Sequence, residues 1–342
     1  MLPLRCAAFV LLALALWSHD AAAWDRGAVQ KFAVVPAGVG LTEGLTVDGQ
    51  GNVYVTTFNV AGAGQPGQLI AFDPSGKLLR QVAIAGSSNL LLGLAFHPTT
   101  GALLVIDFGN PRVLLVDPLT GAASVFMTIP VDPTLGASPN AMNFDAQGNV
   151  YVSDSFQGII WRTGPQGGTP VAWVNDPLLR TTGTPPFGAN GLDFNHDGSA
   201  LFVANTGDRR IIRIPVSGGV AGAPAIFVNS IGGPDGLFID KSNDNLWVVA
   251  NQADEIVVVD KTGRVIAKLG DFDGVDESGA PIGLLFPASN ARFGDWVYVS
   301  NFSLDVRLVG IPQAVDSQWA AQLTTHTIAR IRARIPPVRG LP

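Results

Sequence analysis

Along the chain, short apolar stretches alternate with turn clusters, and helical periods are nearly absent. Residues 45–55 (LTVDGQGNVYV), 94–105 (LAFHPTTGALLV), 142–152 (MNFDAQGNVYV), 192–203 (LDFNHDGSALFV), 237–248 (LFIDKSNDNLWV) and 284–299 (LLFPASNARFGDWVYV) share one form. Each reads as an apolar strand, a Gly/Asp/Asn turn and a second β-rich strand. A third strand follows at Gln68–Phe72, 113–116, 159–161, 211–214, 256–259 and 327–331, and in most units a fourth, as at 78–84 and 265–269. The units begin near residues 43, 92, 140, 190, 235 and 282, at spacings of 49, 48, 50, 45 and 47.

Four short antiparallel strands at such a period predict the blades of a β-propeller. One four-stranded sheet cannot bury both faces, so the fold expected is all-β, with six blades packed around an axis. The sixth unit lacks a fourth strand after 327–331, and the segment 29–35 has no partner before the first unit. That N-terminal segment is expected to join the last blade and close the ring. A pair of β-sandwiches would not explain six equal units. The one helical signal is 313–323, inside a long insertion of the sixth unit.

The first 23 residues read as an address. Arg5 precedes an apolar run over 6–17, and Ala21-Ala22-Ala23 offers a small-residue cleavage pattern. The expectation is a signal peptide over 1–23, a single propeller domain over 24–342, and export to the periplasm or the extracellular space. Cys6 is the only cysteine and would leave with the signal, so neither a disulfide nor a thiol nucleophile is expected. Of the 342 residues, 47% are hydrophobic and 14% charged, which excludes a disordered chain. No apolar run reaches the roughly 18 residues of a membrane span. A net charge of −6 argues against nucleic acid as a partner.

The first strand of a propeller blade lines the central channel, so six equivalent positions should face one another at its mouth. They are Glu43, Leu92, Asn140, Asn190, Asp235 and Ile282. Four carry side-chain oxygen, although Asp and Asn are depleted in strands. Two carboxylates and two amides suit one hard divalent cation: Ca²⁺ first, with Mn²⁺, Zn²⁺ or Mg²⁺ as alternatives. Without a cation, Glu43 and Asp235 should repel and at least one should keep a proton. Asn190-Gly191 and Asp235-Gly236 are also turn dipeptides, so a structural role is the competing reading.

The chain resembles the senescence marker protein-30/gluconolactonase family of six-bladed propellers. The resemblance covers about residues 29–334 and rests on Glu43-Gly44, Pro139-Asn140, Asn190-Gly191-Leu192 and Pro234-Asp235-Gly236-Leu237. The repeats also resemble NHL repeats. The family resemblance implies one divalent cation held by Glu43, Asn190 and Asp235, with Asn140 against substrate or a metal-bound water. It also implies a departure: Ser138 and Ala141 stand where sugar lactonases of the family often carry Arg and Asp. Gluconolactone itself is therefore put in doubt, and lactonase chemistry much less so.

Phe58, Phe108 and Phe302 fall just after the second strands of three neighbouring blades, where the opposite blades carry Ser155, Thr206 and Asn251. If these face the mouth, half the rim is apolar, and the small-molecule substrate is a lactone with an apolar part. The alternative is packing between blades. The loops over 58–67, 131–139, 176–188 and 303–325 are long enough to form a lid.

Other signals carry less. Asp271, Asp273, Asp276 and Glu277 make an acidic loop without EF-hand spacing, read as an exposed turn. His97 and His196 fall on the far face, and His326 begins a strand of the sixth unit, which leaves a place at the rim open to it. No nucleophile elbow or phosphate-binding loop occurs. Asn301-Phe302-Ser303 is a glycosylation sequon.

Two functions follow. One is metal-dependent hydrolysis of a lactone or related ester, with Asp235 activating water and Asn140 orienting substrate or water. The other is an exported, non-catalytic propeller that binds a ligand or protein. A strictosidine-synthase-like condensation shares the fold but would not use this metal set.

Overall fold

The computed structural model describes residues 25–311 and 316–336. The expected signal peptide lies outside the described residues, as do the first residues of the expected 313–323 helix. Strands form where apolar residues alternate, and the turns between them follow from Asp and Gly. In the third blade, Asp145 Oδ1 accepts from the backbone N–H groups of Gln147 and Asn149 at 3.0 and 2.9 Å. Gly148 then takes φ +79°, open to glycine at no steric cost.

Six antiparallel sheets result, as the repeats predict. Blade 1 runs Leu41–Val47, Val53–Phe58, Gln68–Phe72 and Leu78–Ala83, and blade 2 runs Leu91–Phe96, Leu103–Asp107, Arg112–Val116 and Ala123–Thr128. Blade 3 is Pro139–Phe144, Val150–Asp154, Ile159–Gly164 and Gly167–Asn175. Blade 4 is Ala189–Phe194, Ala200–Asn205, Arg210–Ser217 and Ala225–Asn229, with Val220–Ala221 beside its third strand. Blade 5 is Pro234–Asp240, Asn245–Ala250, Glu255–Val259 and Val265–Leu269. Blade 6 takes Pro287–Phe293, Trp296–Asn301 and Thr327–Arg332 from the C-terminal part, and the strand Gln30–Val34 pairs antiparallel with Thr327–Arg332. The ring is therefore closed by the N-terminal strand, as expected.

Each first strand packs against the first strands of the blades before and after it, and the last against the first. Hydrophobic clusters fill the spaces between blades, with Ile70, Val105, Val152, Val203, Val248 and Val299 buried at their centres. The equal spacing misplaced one element. Phe272–Val275 and Pro281–Gly283 form a separate two-stranded hairpin ahead of blade 6. Ile282 belongs to that hairpin and is 44% exposed, so it is not a channel residue. The sixth position belongs to Ala288, 53 residues after Asp235. The inserted hairpin carries its own strand pattern, and a constant period mistakes it for the start of the blade. The insertion of blade 6 forms one turn of α-helix, Ser317–Ala320, and one of 3₁₀ helix, Val306–Val309. No helix among the described residues is long and apolar enough to cross a membrane.

Candidate functional site

Every first strand slips register by one residue at the same place. The slips fall between Thr42 and Leu45, Leu91 and Leu94, Pro139 and Met142, Ala189 and Leu192, Pro234 and Leu237, and Pro287 and Asn290. Each is a β-bulge, which leaves one residue unpaired and re-aims its side chain. The bulges hold Glu43, Leu92, Asn140, Asn190, Asp235 and Ala288. Small residues follow because the strands meet backbone to backbone: a Cβ on Gly191 would stand 2.3 Å from the carbonyl oxygen of Asp235.

Glu43, Asn140, Asn190 and Asp235 line one cavity of about 330 Å³. All four are buried. No Lys or Arg lines the cavity or pairs with either carboxylate among the described residues. Burial, and then repulsion from Asp235, pushes the Glu43 carboxyl well above the usual carboxylate range. Burial pushes Asp235 up to about 7, opposed by hydrogen bonding from Asn251 and Asn190. Asn251 Nδ2 donates to Asp235 Oδ2 at 2.9 Å, and Asn190 Nδ2 donates to Thr206 Oγ1 at 3.0 Å. Glu43 Oε2 is buried with no hydrogen-bond partner.

These features fit a divalent cation. An orphaned carboxylate oxygen beside a second buried carboxylate is costly unless a charge compensates both. Carboxylate and amide oxygens together are a hard-cation donor set. Among the described residues no three His, Cys, Asp or Glu side chains converge. A site here therefore draws on its asparagines.

The aromatic residues reach the same cavity. Phe58 meets Phe302 edge-on, with ring centroids 5.4 Å apart, and Phe108 at 6.1 Å. All three line the cavity, so interblade packing and the cavity wall are one and the same surface. The sequence offered no sign of Phe286, which enters the wall from the segment before blade 6. Three of the four long loops contribute apolar residues: Val60, then Pro185 to Phe187, then Leu304, Val306, Val309 and Ile311. The loop over 131–139 contributes none.

The weaker candidates resolve into structure. His97 packs against Phe144, and its Nε2 pairs with the Gly148 carbonyl, away from the cavity. His196 and His326 do not line the cavity either. Asp276 accepts from Ser278 and Ala280 in its own turn and pairs with Lys31, as an exposed acidic turn should. Asn301 of the sequon is buried and donates to Gly283 O and Thr327 Oγ1, so the folded chain gives a glycan no room. Ser138 is fully buried and does not reach the cavity.

Comparison with known proteins follows the same lines. Residues 91–270 match the family model for the SMP-30/gluconolactonase/LRE-like region. The match spans blades 2 to 5 and includes Asn140, Asn190 and Asp235, but not Glu43. A lactonase, Drp35, from Staphylococcus epidermidis is 33% identical over 138 residues, which are 37% of this chain and 40% of that protein. The chain thus spans less than half the length of this curated relative. A luciferin-regenerating enzyme superposes with a TM-score of 0.61 at 18% identity, over 89% of this chain and 95% of that one. Regucalcin, a calcium-binding protein from Agrobacterium tumefaciens, gives 0.59 at 18% identity, over 91% and 98%. At such identities these structures speak for the fold alone.

Proposed function

The chain belongs to the SMP-30/gluconolactonase/LRE-like family, and from that premise we propose that it hydrolyses a lactone or related ester with the help of one divalent cation. Glu43, Asn190 and Asp235 would hold the cation. Ca²⁺ is favoured by the hard oxygen set. The observation that carries the reading is the meeting of two buried carboxylates, without a Lys or Arg partner among the described residues, with Asn140, Asn190, Asn251 and Thr206 in a cavity whose remaining lining is apolar.

When bound, the cation supplies Lewis-acid polarisation of the substrate carbonyl. Asp235 takes a proton from the attacking water as the C–O bond forms. It returns that proton to the departing alkoxide oxygen as the ring or ester C–O bond breaks, so the products are a hydroxyl and an acid. Asp235 lines the cavity, so the same carboxylate can serve both steps. Asn140, buried at the cavity wall, orients the substrate or the water. Phe58, Phe108 and Phe302 take the apolar part of the substrate and exclude water from the reacting carbonyl. With no Lys or Arg in the lining among the described residues, a polyhydroxylated sugar lactone would find few partners. A hydrophobic lactone fits better. The signal-type segment over 1–23 would place this reaction in the periplasm or outside the cell.

Asp235→Ala should abolish turnover of a hydrophobic lactone, and chelation should do the same to the wild type. Full activity of Asp235→Ala would overturn the assignment. Ligand binding without turnover, indifferent to chelation, would point instead to a non-catalytic binding propeller.

A further inference from the structure

One position recurs at the end of each blade's second strand: Phe58, Phe108, Ser155, Thr206, Asn251 and Phe302. In blades 6, 1 and 2 it builds the aromatic wall. In blades 4 and 5 it holds the side chain of a site residue. Thr206 Oγ1 has a single hydrogen, donated to the carbonyl of Pro234 at 2.7 Å. Towards Asn190 it can therefore only accept, and it does so from Nδ2 at 3.0 Å. This fixes the orientation of the Asn190 amide and leaves Oδ1 as the atom available to a cation. In blade 5, Asn251 Nδ2 engages Asp235 Oδ2 at 2.9 Å. That bond occupies one of the two lone pairs of Oδ2, which favours coordination through Oδ1. Thr206 and Asn251 are themselves buried, so water does not compete for these bonds.

We infer that Thr206 and Asn251 are positioning residues that select which oxygens of Asn190 and Asp235 face the cation and so set its affinity. The inference rests on the metal reading above. Blade 3 supplies an internal control. Ser155 Oγ donates to the carbonyl of Ala189 at 2.6 Å, just as Thr206 does to Pro234, but it makes no hydrogen bond to a site side chain. A role limited to stapling neighbouring blades would make Ser155 and Thr206 equivalent.

The test is calorimetric titration of Ca²⁺, and then Mn²⁺ and Zn²⁺, into the metal-stripped full chain. Thr206→Val is isosteric and should weaken binding about 10- to 100-fold, as loss of an outer-shell partner commonly does. Asn251→Ala should fall in the same range. Thr206→Ser should restore near-wild-type affinity, and Ser155→Ala should keep it while losing some thermal stability. Wild-type affinity in folded Thr206→Val, or an equal loss in Ser155→Ala, would overturn the positioning role alone. If the wild type binds no more cation than Glu43→Gln/Asp235→Asn, the metal reading fails and this inference fails with it.

Discussion

Asp254 Oδ1 accepts a hydrogen bond from the backbone N–H of Phe286 at 2.7 Å, joining blade 5 to the segment that leads into blade 6. Phe286 sits at φ +43°, an uncommon conformation for a bulky residue, and its ring lines the cavity. The bond holds one aromatic wall in a conformation it would not adopt freely. Burial, and then the neighbouring Asp316 carboxylate, pushes Asp254 up to about 7.

Asp254→Ala orphans the buried Phe286 N–H, so it should cost about 1–3 kcal/mol. It should raise KM for an apolar substrate more than it lowers kcat. Asp254→Asn keeps the acceptor and removes a buried charge. An Asp at about 4 unfolded and about 7 folded makes the wild type lose stability as pH rises between those values. The Asn variant should therefore match the wild type near pH 4 and exceed it at pH 8. Urea denaturation at both pH values decides this, and an Asn variant weaker than the wild type at pH 8 would refute it.

The cavity carboxylates give the metal-free protein the same sign. Both Glu43 and Asp235 are raised in the fold, so the folded state binds more protons than the unfolded one above about pH 4. With chelator present, the melting temperature should fall from pH 5 to pH 8. Excess Ca²⁺ should reduce that fall, because cation binding to the folded state compensates the charge. A pH profile unchanged by Ca²⁺ would argue against a cation at these residues.

Substrate choice should be readable in the aromatic wall. Phe58→Leu and Phe302→Leu keep most of the packing while removing ring area. Each should lower kcat/KM for an aryl- or alkyl-substituted lactone roughly 10-fold, about the worth of one or two methylenes in an apolar pocket. An unsubstituted small lactone should be affected far less. Equal losses on both substrates would assign these rings to packing alone.

Gly191→Ala tests how closely the blades meet. The added methyl would stand 2.3 Å from the Asp235 carbonyl and 2.8 Å from the Leu237 nitrogen, both backbone atoms that cannot turn aside. The variant should lose about 1–3 kcal/mol of stability and bind divalent cation more weakly, since Asp235 must shift. Thermal denaturation and cation titration together check both effects.

The propeller, its number of blades and the strand that closes it were legible in the order of residues. Those features rest on local chemistry: alternating apolar residues, Asp and Gly at turns such as 145–148, and a C-terminal blade one strand short. The same reading also indicated Glu43, Asn140, Asn190 and Asp235, because each begins a unit just ahead of a small residue. It went wrong at Ile282, where the inserted hairpin over 272–283 imitates a blade start, and periodicity does not distinguish an insertion from a repeat. The folded chain was needed to show that Ala288 takes that place, that Phe58 and Phe302 wall the same cavity as Asp235, and that Phe286 joins them. It alone showed Thr206 and Asn251 holding the site side chains. Those relationships depend on how the strand-end residues of one blade meet the bulges beside them and on where the loops return, which local pattern does not encode.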